Sequence, residues 1–225
     1  MWKYNIEGLG STKFTVTSNT LGIWQIFDGL GSPPSVGVFG LSYSSIATSS
    51  NNGRRMIRDS DGRYHLVIES DGDITYRCSN VGGTSWDSSE GLTSNGDNKY
   101  PSIVGTSSKK FVVWQRYTGY SSGYYNYDTY FAKNTGSGWS NTTISNLSGL
   151  TFSSATDPLP VISYHSTPRL VVCVRTSDGI KYCTTDNEGT TWSSASTLPS
   201  SGSGDKNASL SDSTTIPCTT IYAAY

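Results

Sequence analysis

Three tryptophans constrain this chain more than any other feature. Trp86, Trp139 and Trp192 stand 53 residues apart twice over, and each closes a similar phrase: SNVGGTSW (79–86), AKNTGSGW (132–139) and TDNEGTTW (185–192). Upstream of each lies a short run with a tyrosine: ITYRC, DTYFA and IKYCT. Upstream again is an apolar run, YHLVIE (64–69), FVVWQ (111–115) or LVVCV (170–174). Before that comes RMIR (55–58), YPSIV (100–104) or LPVIS (159–163). Branched and aromatic residues in short runs, separated by turn sequences such as DSDGR and SDGD, read as strands joined by tight hairpins.

One unit is therefore four short strands in about 53 residues. A single four-stranded sheet leaves both faces wet, and a repeat of this length with four strands is the signature of a β-propeller, in which sheets bury their faces against one another. The expected fold is all-β: a propeller of four-stranded blades, with regular repeats at 53–100, 101–157 and 158–205. The stretch NASLSDSTTIPCTTIYAAY (207–225) reads as the first two strands of a further unit, and KFTVTSNTLGIW (13–24) as its last two. Residues 206–225 and 1–28 would then form one composite closing blade, making residues 1–225 a single four-bladed domain. Residues 29–52 are long enough to hold strands of a fifth blade, and a chain that stops mid-blade also fits a piece of a larger propeller.

Composition agrees with an all-β chain. Aromatics are 12 %, charged residues only 15 % and glycines number 24, while the strong helix formers are scarce. A formal net charge of −1 provides no field to recruit nucleic acid. No apolar run reaches the roughly 18–20 residues of a membrane span, and the first ten residues hold no signal-peptide core. Abundant Ser, Thr, Tyr and Asn point to an extracellular or cell-surface setting. There Asn141, Asn146 and Asn207 would be glycosylation sequons. Cys78, Cys173, Cys183 and Cys218 form no CxxC pair, so no metal or other cofactor is expected. They read as free thiols: a hairpin centred on 177–179 sets Cys173 opposite Tyr182 rather than Cys183.

The tryptophan phrases resemble the Asp-box repeat, Ser/Thr-x-Asp-x-Gly-x-Thr-Trp, of the sialidase (neuraminidase) superfamily. The resemblance covers about residues 53–194. The box aspartate is replaced by Val81, Asn134 and Asn187, while the glycine is kept as Gly83, Gly136 and Gly189. The resemblance implies that the box is a structural turn away from the ligand face. Gly83, Trp86, Gly136, Trp139, Gly189 and Trp192 are accordingly read as framework.

The same resemblance implies a carboxylate clamp of arginines, a tyrosine nucleophile paired with a glutamate, and an aspartate acid. Arg116 and Arg175 read as matching positions at the ends of two second strands, and Arg54 begins a first strand beside Arg55. These are the clamp candidates, because guanidinium forks match carboxylates. The catalytic set is incomplete. Of four glutamates only Glu69 is suitably placed, and Glu188 falls in a box turn. His65 reads as a satisfied strand histidine and His165 as a turn residue. No catalytic residue is assigned.

The stretch WQRYTGYSSGYYNYDTYF (114–131) departs from its sister repeats. Trp114 and Tyr130 read as framework, with Tyr130 matching Tyr76 and Tyr182. Residues 117–128 are an insertion where the sisters have only SDGD and TSDG. Tyrosine with Ser, Gly and Asn is the composition of binding loops. Tyr117, Tyr120, Tyr124, Tyr125 and Tyr127, with the arginines, form the candidate ligand-binding set. Covering a neighbouring blade and a homo-oligomer contact are the alternatives. The expected function is a non-catalytic, lectin-like, adhesion or surface-structural module that recognises a glycan or protein surface. The alternative is a sialidase-type glycosidase acting on an acidic sugar.

Overall fold

The computed structural model describes residues 55–152, 159–165, 169–199, 201–202, 208–210 and 223–224. These residues are all-β, with antiparallel sheets, no α-helix and one 3-10 turn at Ser145–Leu147. Arg54, the expected composite closing blade's residues 1–28, Asn207 and Cys218 lie outside them.

The first sheet runs in order β1 (Met56–Arg58), β2 (Arg63–Ser70), β3 (Asp73–Val81) and β4 (Glu90–Gly91). The second is β5 (Asn98–Gly105), β6 (Lys110–Ser121), β7 (Tyr124–Asn134) and β8 (Trp139–Thr143), with β9 (Leu150–Phe152) added on β7. The third is β10 (Val161–Tyr164), β11 (Leu170–Thr176), β12 (Gly179–Thr185) and β13 (Ser196–Thr197). A two-stranded pair, β14 (Ser209–Leu210) with β15 (Ala223–Ala224), follows. The nine runs read as the first three strands of each repeat all form strands, with β6 and β7 extending several residues past their sequence boundaries.

The sheets stack face to face. Val67, Ile74 and Leu92 of the first meet Ile103, Val112, Trp114 and Ala132 of the second. Val104, Phe111, Val113 and Phe131 on the other face of the second meet Ile162, Leu170, Val172, Val174 and Cys183 of the third. Val161, Val171, Cys173 and Ile180 then meet Ala208 near β14. The second and third sheets thus bury both faces, with side chains alternating between successive cores.

Hydrogen bonds set the equivalence between repeats. Leu92 N–H donates to the Ile74 carbonyl, Ile144 to Thr129 and Leu198 to Ile180, each at 2.8 Å. Two residues beyond these acceptors stand Tyr76, Phe131 and Tyr182, opposite Val67, Val113 and Cys173. Phe131, not Tyr130, is therefore the second repeat's counterpart of Tyr76 and Tyr182. The tryptophans obey the same rule. Trp139 meets Tyr76 edge-on at 4.9 Å and Trp192 meets Phe131 at 5.3 Å, so each tryptophan rests on the aromatic of the preceding sheet. The one-residue offset arises because a strand's faces alternate: moving the register by one puts a side chain on the opposite core.

The box turns are structural in detail. Asn187 Oδ1 accepts from Thr191 N–H at 2.9 Å and Asn187 Nδ2 donates to Thr191 Oγ1 at 2.8 Å. In the first repeat Asn80, not Val81, fills this place, bonding Ser85 N–H at 3.0 Å and Thr84 Oγ1 at 2.8 Å. Val81 is left 61 % exposed. In the second, Asn134 Oδ1 accepts from Gly136 N–H at 2.9 Å. Gly83, Gly136 and Gly189 all have positive φ.

Two sequons double as inter-sheet ties. Asn141 Nδ2 donates to the Leu92 carbonyl at 2.7 Å, and Asn146 Nδ2 to the Ser193 carbonyl at 2.9 Å. Cys78, Cys173 and Cys183 are free, and Cys173 stands opposite Tyr182 as expected. Burial, with the neighbouring Cys183, pushes the Cys173 thiol up to about 12; burial pushes Cys183 up to about 11. Because the thiolate is the reactive form, neither should alkylate in the native protein near pH 8, and both should label after denaturation. Mass mapping of iodoacetamide adducts reads this, and labelling of Cys173 under native conditions would contradict it.

Candidate functional site

The tyrosine insertion is not a loop. Its two sides extend β6 and β7 past the sheet and close at Ser122–Gly123, with Ser121 opposite Tyr124. Ser122 (φ 53°) and Gly123 (φ 84°) both have the positive φ that a two-residue type I′ turn requires. A bulge lies between Tyr117 and Gly119, where Gly119 has φ 134°. Asn126 Nδ2 pins it, donating to the Gly119 carbonyl at 3.1 Å and to Ser121 Oγ at 3.0 Å. The 3-10 turn then leads β9 back along β7, setting Tyr125 opposite Phe152 and Tyr127 opposite Leu150. The candidate site is thus a short three-stranded extension, more rigid than the loop expected from composition.

Register sorts the tyrosines. Tyr117 lies opposite Tyr127 and Tyr120 opposite Tyr125, so these four share the face turned to the third sheet. Their rings run in series: Tyr120–Tyr125 at 4.9 Å, Tyr125–Tyr117 at 6.3 Å, Tyr117–Tyr127 at 5.6 Å and Tyr127–Phe152 at 5.9 Å. Exposure falls along the series. Tyr120 is 60 % exposed, Tyr125 and Tyr117 are half-buried, and Tyr127 is 5 % exposed. Tyr127 is therefore core of the hairpin, which corrects its placement in the ligand-binding set. Tyr124, on the opposite face, is 46 % exposed.

The arginines do not converge as expected. Arg175 lies opposite Ile180 and so matches Gln115 (opposite Thr129) and Glu69 (opposite Ile74). Arg116, opposite Asp128, is one residue further on and matches Ser70 and Thr176. It accordingly sits on the other face, with its guanidinium 5.9 Å from the Tyr130 ring centre and Nη1 3.3 Å from the Tyr130 hydroxyl. Arg116 and Arg175 are not matching positions, so they form no shared clamp.

Two polar clusters join residues that the sequence read only one by one. Arg55 is half-buried at the start of β1. Burial pulls its guanidinium below the usual range, against the opposing charges of Glu69 and Tyr100. Glu69 Oε1 accepts from Gly72 N–H at 2.9 Å. Tyr100 is buried in a left-handed conformation (φ 57°), within the β5 bulge. At the opposite ends of these strands, His65 Nε2 bonds Asp59 Oδ2 at 2.8 Å and His65 Nδ1 bonds the Tyr76 hydroxyl at 2.7 Å. Lys110 Nζ from the second sheet lies 4.0 Å from the same Asp59 oxygen. His65 is satisfied, as expected. His165 is buried with Nε2 3.1 Å from Ser163 Oγ, and Glu188 of the box turn pairs with Lys109. Asp59 was invisible in the sequence because DSDGR reads equally well as a plain turn.

Among the described residues no group of three or more His, Cys, Asp or Glu is placed to hold a metal ion, and no helix is long and apolar enough to cross a membrane. The chain matches no protein-family model and no curated protein. Among solved structures it is similar to the xylan beta-1,4-xylosidase from Bacillus Halodurans C-125, with TM-score 0.32 and 8 % identity over 72 % of this chain. The chain spans about half of that protein, 47 % of its length, and the likeness is too slight to carry an argument.

Proposed function

We propose that this chain is a four-bladed β-propeller, a single domain over residues 1–225, that acts as a non-catalytic recognition module. It binds a glycan or protein surface through the tyrosine hairpin in an extracellular or cell-surface setting. The propeller reading is supported by the repeated sheet order, by face-to-face stacking and by the first strands, which neighbour one another from β1 to β5 to β10 to β14. The single observation behind the recognition reading is the hairpin: a braced extension found on one sheet alone among the three, ending in two exposed aromatic rings. A rigid platform loses little entropy on binding, which suits recognition.

The test separates contact from framework. Tyr120→Ser with Tyr124→Ser should leave the melting temperature within about 2 °C of the parent, because both rings are exposed, and should abolish binding. Tyr127→Ser should instead destabilise the fold by about 2–4 kcal/mol, since it empties a buried aromatic site. Thermal melts beside a glycan- and protein-binding screen read both. Unchanged binding in the double variant would remove the hairpin from the site.

A second reading, a sialidase-type glycosidase, draws on the Arg55–Glu69–Tyr100 cluster, where a strained buried tyrosine adjoins a carboxylate and a guanidinium. Turnover of a fluorogenic sialoside that disappears in Glu69→Gln would favour it over the binding module.

A further inference from the structure

We infer that the ligand of the tyrosine hairpin is a neutral oligosaccharide, stacked on Tyr120 and Tyr125. This rests on the recognition reading above and narrows it to one chemical class. Residues 117–127, YTGYSSGYYNY, contain no charged side chain. The arginine at the hairpin's base is turned away: Arg116 lies over Tyr130 on the face towards the first sheet, whereas Tyr120, Tyr125 and Tyr117 occupy the face towards the third. Arg175, the other clamp candidate, occupies the register position of Gln115 rather than that of Arg116. Among the described residues, a carboxylated or sulfated sugar would therefore find no cation on the platform. Its desolvation would go uncompensated.

What the face does present fits a pyranose. The Tyr120 ring is exposed and held edge-on by Tyr125 at 4.9 Å, so its orientation is set before binding. The C–H face of a sugar packs on such a ring, and the ring's negative face favours the polarised hydrogens. Exposed hydroxyls neighbour it along the chain in Thr118 and Ser122, whereas Ser121 pairs with Tyr124 on the opposite face. The Asn126 amide nitrogen is committed to the Gly119 carbonyl, Ser121 Oγ and the Tyr124 carbonyl. Asn126 alternates with Tyr125 and Tyr127, so it faces away from the rings and braces the platform from behind. The step from Tyr120 to half-buried Tyr125 and Tyr117 makes a sloping aromatic track, which suits an extended chain of sugars better than one terminal residue.

A protein partner fits less well. Two exposed rings on a narrow hairpin offer far less than the roughly 800 Å² per partner of a stable protein interface, and the exposed hairpin face lacks the aliphatic anchors of such a contact. A few sugars need only one or two rings.

The experiment titrates the full chain with β-linked pentamers of glucose, xylose, galactose and N-acetylglucosamine, with sialyllactose and with an oligogalacturonate. Binding is followed by calorimetry, and contact by hydrogen exchange of residues 117–127. The expected result is binding of at least one neutral pentamer that protects the hairpin, weakens about tenfold or more in Tyr120→Ser, and changes less than about twofold between about 0.05 and about 0.5 M NaCl. Matched melting curves for Tyr120→Ser exclude loss of fold. Binding of the acidic probes alone, with steep salt dependence and hairpin protection, overturns the neutral class and leaves recognition standing. Protection of the hairpin only by a protein captured in a surface-display screen overturns the saccharide and again leaves recognition standing. Absence of hairpin protection with every probe and every displayed protein overturns both.

Discussion

Gly189→Ala should lower the melting temperature by about 6–20 °C. Gly189 has φ +79°, a conformation that is unfavourable by about 1–2 kcal/mol for an L side chain. A methyl group there would also sit 2.3 Å from the Phe131 ring, and Phe131 has no room to yield. It is buried, stacked on Phe111 at 6.0 Å and met edge-on by Trp192. Relieving that overlap means moving the core between the second and third sheets, at a further 2–3 kcal/mol or about that. The total of about 3–5 kcal/mol converts to the stated shift at about 2–4 °C per kcal/mol for a domain of this size. Gly136→Ala is the internal control. It has φ +106° but nothing within 4 Å of the added carbon, so backbone strain acts alone and a fall of about 2–8 °C is expected. Equal effects at the two positions, measured by calorimetry, would mean that the Phe131 contact contributes nothing.

That contrast also shows where the sequence was readable. The tryptophan spacing located the first three strands of each of the three sheets, because periodic burial leaves a periodic mark. The glycine of each box was legible for the same reason. The register inside the second repeat was not. DTYFA offers two adjacent aromatics, Tyr130 and Phe131, and only the backbone bond from Ile144 to Thr129 decides which one faces the next sheet. Choosing Tyr130 carried Arg116 into a false match with Arg175, since both errors are one step of the same alternation. The hairpin was hidden differently. Its turn residues, Ser122–Gly123, are weaker signals than Asn-Gly, and the β9 strand that braces it comes from a segment after the box, with no counterpart in the sister repeats. The Asp59–His65–Tyr76 chain needs three elements brought together by folding, and no spacing rule in the sequence connects them.

Asp59→Ala should destabilise the protein by about 3–5 kcal/mol at pH 7 and make what remains more sensitive to acid. The Asp59 carboxylate does four things at once in a buried position. Oδ1 accepts the Asp61 and Arg63 N–H groups at 3.0 and 2.9 Å, and Oδ2 meets His65 Nε2 at 2.8 Å and faces Lys110 at 4.0 Å. Removing it strands two backbone donors and His65 Nε2 and leaves the Lys110 ammonium with only the Thr106 and Ser107 carbonyls, and breaking a buried pair from one side leaves the partner charge uncompensated. Burial pushes the Asp59 carboxyl up, but the His65 hydrogen bond, the Arg63 N–H and the Lys110 charge outweigh it and hold it below the usual range. Burial pulls His65 down, against the Asp59 hydrogen bond and with the Lys110 charge. Both folded-state values lie below the unfolded ones, so the unfolded chain binds more protons and stability falls as pH falls. The loss begins below about pH 6.5, where the unfolded histidine starts to protonate, and continues through the carboxylate range below about pH 3.9. Without Asp59 the one group favouring the imidazolium is gone while Lys110 stays, so the His65 value drops further and the loss steepens between about pH 6.5 and 5. His65→Phe should flatten that interval and also weaken the loss through the carboxylate range, because it removes the hydrogen bond that does most to lower Asp59. Urea unfolding at a series of pH values measures both, and an Asp59→Ala profile parallel to the parent's would show that the carboxylate and the imidazole are not coupled.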